Sequence, residues 1–133
     1  MPSIRYSMYH SALKASGAKQ MLCTEDKKRR MILREIQGSS RLALPEGVIQ
    51  GVQCSVRKIG DVQTEVMRKK GSSPQRAILY LFGGGFALPP DRGDLSFCRD
   101  FVKNTDSEVW MPMLPIAPDA DLNDIICAAL PVY

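Results

Sequence analysis

The 133-residue chain has one histidine, one tryptophan and four cysteines, and no apolar run approaching the roughly 20 residues that a bilayer span requires. Each shortage excludes something. The single histidine, His10, lies near the N-terminus, so a histidine-based metal centre is not expected. Cys23, Cys54, Cys98 and Cys127 stand singly, without the short gap that marks zinc knuckles or redox pairs. No metal and no cofactor is therefore expected. The opening Met1-Pro2-Ser3-Ile4-Arg5-Tyr6 has neither the apolar core nor the small-residue cleavage site of a secretion signal. A cytoplasmic chain with free thiols is expected. Cys54, Cys98 and Cys127 fall in apolar-patterned segments, where a thiol acts as a small hydrophobe.

What is present is an ordinary globular composition. Apolar residues make up 44% and charged residues 24%, which argues against a disordered or fibrous chain. The net charge of +4 raises the question of nucleic acid. The basic residues sit in Lys27-Lys28-Arg29-Arg30 and Arg68-Lys69-Lys70, with no interleaved aromatics and no nucleic-acid motif. They read as solvated faces, and no nucleic-acid partner is expected.

Apolar residues recur at helical spacing over residues 7–36, and Gly17 divides the region into two helices. Thr24, Glu25 and Asp26 start the second helix, and Gly38-Ser39-Ser40 stops it. Beyond Pro45 the period changes. Val48, Val52, Cys54 and Val56 predict a strand, Gly60-Asp61 a turn, and Val62, Thr64 and Val66 a second strand: an antiparallel hairpin with one polar face. Residues 76–81 are continuously apolar after Arg76, as in a strand covered on both faces. Three glycines follow. A helix is predicted from Asp94 to about Val102, a strand over 108–111, a proline-rich turn over 112–118 and an amphipathic helix over 119–133, with Pro131 unusually late in it. Strand, glycine turn, helix, strand and helix form a βαβ crossover and the start of another. The predicted fold class is α/β, in which N-terminal helices precede an antiparallel hairpin that leads into a parallel sheet with flanking helices.

Glycines directly after a buried strand leave backbone N–H groups uncovered and permit conformations closed to other residues. Such a turn can cradle a phosphate, hold an oxyanion or simply bend the chain. A P-loop would continue Gly-Lys-Ser/Thr, whereas here Phe86-Ala87-Leu88 follows. A dinucleotide fingerprint would open straight into a helix, whereas here Pro89, Pro90 and Asp91 intervene.

The run Ile78-Leu79-Tyr80-Leu81-Phe82-Gly83-Gly84-Gly85-Phe86 and the later Leu114-Pro115-Ile116-Ala117-Pro118-Asp119 together resemble two ordered motifs of the hormone-sensitive-lipase-like branch of α/β-hydrolase carboxylesterases. In that family a strand ends in His-Gly-Gly-Gly-Phe, and Tyr-Arg-Leu-Ala-Pro-Glu leads into a later helix. The resemblance covers essentially the whole chain and implies the N-terminal part of an α/β-hydrolase. It implies a cap-like helical segment over 1–47 and hydrolase core over 48–133. It also implies that Gly83 and Gly84 donate backbone N–H groups to the oxyanion of acyl transfer, while Gly85 and Phe86 line the substrate side. The implied substrate of the family is a small carboxylic ester.

The chain departs from the pattern in three places. Phe82 replaces the loop-anchoring histidine, and Leu114 and Pro115 replace the tyrosine and arginine of the second motif. No G-x-S-x-G nucleophile elbow occurs, and His10 lies on the wrong side of every motif to serve as triad base. A truncated hydrolase core, inactive alone, is therefore expected. The alternative is a binding or assembly module that self-associates through an exposed sheet edge.

Overall fold

The computed structural model describes residues 26–39 and 42–133, together with Ser11. The first predicted helix, His10, Cys23 and most of the 1–47 segment lie outside the described residues. Helix α1 (Asp26–Ser39) is followed by strands β1 (Gly47–Ile49), β2 (Val52–Ile59), β3 (Val62–Lys69) and β4 (Ala77–Leu79). Helix α2 (Arg92–Asn104), strand β5 (Glu108–Pro112) and helix α3 (Leu122–Ala129) complete the order. The strands form one mixed sheet, β1-β2-β3-β5-β4, antiparallel throughout except for the β4–β5 pair. The predicted hairpin and the parallel βαβ unit are both present.

Three local readings are corrected. Val48 does not continue into the strand of Val52. Gln50 (φ 51°) and Gly51 (φ 83°) turn the chain there, so that β1 pairs back on β2 as a separate short edge strand. The hairpin has no continuous polar face, because Thr64, Glu65, Val66 and Met67 are all buried. Strand β3 is paired on both edges, by β2 and β5, and its two faces contribute Met67 and Val62 to separate core clusters. The first core cluster (Val52, Cys54, Met67, Leu95, Cys98, Val102, Val109 and Met111) is the seam between the sheet and α2. The second gathers Val62, Phe82, Leu114, Ile125 and Val132. Finally, β4 is only partly buried, since β5 is its one strand partner among the described residues.

The helix ends follow their chemistry. Asp91 and Asp94 form a reciprocal capping box that starts α2 ahead of the predicted Asp94, and Asp121 with Asp124 repeats the device at α3. Because α3 ends at Ala129, Pro131 lies beyond the helix, where its missing N–H does no harm. Cys54 and Cys98 are buried free thiols, whereas Cys127 is exposed, unlike the apolar role predicted for it. The basic clusters in α1 and at the end of β3 are largely exposed. No described helix is long and apolar enough to cross a membrane.

Candidate functional site

The site is built at the C-terminal end of β4. The Tyr80 N–H still bonds the Trp110 carbonyl at 2.8 Å, after which the chain leaves the sheet. Phe82 turns inward, 3% exposed, into the second cluster, and meets Phe86 edge-on at 6.2 Å between ring centroids. Phe82 thus anchors the loop by apolar burial and ring contact rather than by a hydrogen bond.

Between these two rings lie the glycines. Gly84 (φ 89°), Gly85 (φ 62°) and Phe86 (φ 54°) are three successive left-handed residues. This is a conformation that glycine adopts freely and that phenylalanine disfavours. At Gly84 a Cβ would stand 2.8 Å from the Leu88 Cβ, so no side chain fits. At Gly83 neither constraint applies: its φ is not left-handed, and the space around a Cβ would be open. Glycine there leaves the backbone approachable from outside. The loop closes through Ala87 N–H to the Gly84 carbonyl at 3.1 Å, and the Phe86 carbonyl accepts from Ala117 N–H at 2.7 Å. The two motifs read in the sequence therefore meet through a backbone bond.

An open cleft of about 460 Å³ adjoins the loop, lined by Tyr80, Gly83, Gly84, Leu88, Asp94 and Phe97 among others. Tyr80 Oη donates to Asp94 Oδ1 at 2.7 Å, while Asp94 Oδ2 accepts from Asp91 N–H at 2.9 Å. One carboxylate thus ties the strand end to the first turn of α2. That hydrogen bond, with burial and the negative charge of Asp94 behind it, raises the Tyr80 hydroxyl to about 12, so it stays protonated as a donor. The sequence reading missed this pair. The Asp-x-x-Asp spacing at 91 and 94 was the available signal for the cap, but nothing in the sequence signals the bond from Tyr80.

A second feature missed from the sequence is Gln37 of α1, whose Nε2 donates to the carbonyls of Ala87 (2.8 Å) and Ala117 (2.6 Å). Gly83, Gly84, Gly85 and Phe86 thus lie together in one exposed or half-exposed loop. The described residues contain no cluster of histidine, cysteine and carboxylate side chains able to hold a metal.

No protein-family model matches the chain, and no curated protein matches it. Solved structures do. A Staphylococcus aureus protein assigned as an esterase superposes with a TM-score of 0.69 at 22% identity, over 85% of this chain and 39% of its own. The fold is that of the N-terminal part of an α/β-hydrolase. An esterase from the bacterial hormone-sensitive lipase family matches with a TM-score of 0.58 at 17% identity, over 86% of this chain and 37% of its own. A hormone-sensitive lipase from a metagenome library gives a TM-score of 0.58 at 16% identity, over 83% and 41%. The chain spans about two fifths of the length of these α/β-hydrolase structures.

Proposed function

We propose that this chain is the oxyanion-loop part of a carboxylic ester hydrolase, with Gly83 and Gly84 as backbone donors to a tetrahedral acyl-transfer intermediate. The observation that carries this reading is the glycine loop at the end of β4, whose Gly83 is glycine without any conformational or steric demand from within the fold. A donor that must come within hydrogen-bond distance of a reacting oxygen supplies that demand from outside. Gly85 and Phe86 complete the turn and border the substrate. The substrate is a small ester, since the matched structures are esterases and lipases.

The 133 residues contain no G-x-S-x-G, so the loop serves a nucleophile and base that this stretch does not supply. The chain alone should leave a short-chain aryl ester unhydrolysed above the buffer rate. Turnover that survives purification and vanishes on Gly83→Val would overturn this view.

A second reading, an assembly module, is favoured by one feature. Strand β4 has a free edge among the described residues, flanked by exposed Leu81 and by a hollow of about 270 Å³ between Ala77, Leu79, Trp110, Val132 and Tyr133. An edge-paired dimer would elute as a discrete, stable species in size-exclusion chromatography, whereas an incomplete core would aggregate.

A further inference from the structure

The helix that precedes the sheet reaches the glycine loop through one side chain. Gln37 stands fifty residues before Ala87 and eighty before Ala117, yet its amide bonds both carbonyls, at 2.8 and 2.6 Å. A primary amide has two N–H donors, and here each is spent on a different loop. Those loops are already coupled, since Ala117 N–H donates to the Phe86 carbonyl and Ala87 N–H to the Gly84 carbonyl. Gly84, Gly85 and Phe86 therefore sit inside a closed circuit of hydrogen bonds that Gln37 completes. One helical turn earlier, on the same side of α1, Arg34 Nη2 meets Asp119 Oδ1 at 2.6 Å and fastens the same second loop.

This circuit supplies what the loop lacks elsewhere. Phe82 holds the loop's beginning by apolar contact alone, which fixes a position but not the direction of a peptide plane. Phe86 at φ 54° is in a conformation that its Cβ disfavours, and such a residue persists only where its surroundings hold it. We propose that Gln37 is a positioning residue: its amide sets the backbone conformation of Gly84-Gly85-Phe86 and thereby the direction of the loop N–H groups. It touches no substrate. The purpose of this positioning rests on the oxyanion-donor reading, but the positioning itself is open to separate measurement.

The test uses the full chain labelled with ¹⁵N-glycine, in wild type, Q37M and Q37K. Methionine matches the length of glutamine and the helix propensity, but donates nothing. The lysine ammonium carries three donors and sits favourably near the C-terminal end of α1. Q37M should displace the Gly84 and Gly85 amide resonances while Gly51 and Gly60, in the hairpin turns, keep theirs. Q37K should restore the wild-type positions. The proposal is overturned if Q37M leaves Gly84 and Gly85 unmoved, if Q37K displaces them as Q37M does, or if Gly51 and Gly60 shift along with them. Should Q37M lose the folded spectrum, Q37K decides: wild-type glycine positions support the proposal, and a second loss of fold overturns it. A failure of the oxyanion reading in ester assays would leave these spectra unchanged, so the two failures are distinguishable.

Discussion

Glu65 is fully buried on β3 opposite Val56 and Met111, and neither of its carboxylate oxygens has a hydrogen-bond partner. Burial, reinforced by Glu46, raises it from 4.5 to about 7. Between those values the folded chain keeps a proton that the unfolded chain has released. The stability it confers is therefore complete below about pH 4.5 and is lost as pH rises through about 7. The difference amounts to roughly 3 kcal/mol. Urea denaturation across this range should show wild-type stability falling with pH, and Glu65→Gln should flatten the fall; parallel slopes for the two proteins would refute the assignment. The same burial pushes Cys54 up to about 11, with Glu65 adding to it, and Cys98 up to about 12. At about pH 8, alkylation followed by peptide mapping should label Cys127 and spare Cys54 and Cys98. Labelling of either buried thiol at the rate of Cys127 would contradict their burial. At Gly84 an added methyl would meet Leu88 at 2.8 Å in a left-handed conformation, so Gly84→Ala should lower stability by about 1–3 kcal/mol, read as a fall in Tm. An unchanged Tm would mean that the loop relaxes at no cost.

At the scale of elements, the capping box of α2 is the most exposed to test. Asp91 Oδ1 accepts from Gly93 N–H at 2.6 Å and from Asp94 N–H at 3.1 Å, so Asp91→Ala should cost about 0.5–2 kcal/mol. Calorimetry reads it, and a change within error would show that the helix end is held by packing instead. The existence and type of the described elements other than β1 were legible in the sequence because period and punctuation are local signals. Alternation marked β2, the apolar run over 77–81 marked β4, and Gly60-Asp61 marked the turn. Position within the sheet was not legible. Thr64 and Glu65 read as members of a half-polar strand, and only the core packed against both faces of β3 buries them. An apolar run such as 77–81 is the same in a central strand, so it did not by itself mark an edge. The loop was legible through Gly83 to Phe86, but its supports were not. Tyr80 with Asp94, and Gln37 with Ala87 and Ala117, join residues 14 to 80 positions apart, and no spacing rule spans such gaps.

At the scale of the whole molecule, the sheet order β1-β2-β3-β5-β4 brings the glycine loop to one end of the β4 edge, with α2 behind it and the segment over 114–119 beside it. Beyond that edge the chain offers exposed Leu81, and α3 with its C-cap offers exposed Leu122, Ile126 and Leu130. The central claim is that the loop is a donor site for an acyl-transfer nucleophile that these residues do not carry. Its most direct test is the hydrolysis of a short-chain aryl ester by this chain and by the chain extended through the reading frame that follows the codon for Tyr133. An in-frame G-x-S-x-G is expected, with turnover in the extended protein alone and a loss of about 10²–10³ in that turnover on Gly83→Pro, which removes the N–H donor. Turnover by the 133-residue chain itself, or an extended protein whose rate is indifferent to Gly83, would contradict the central claim.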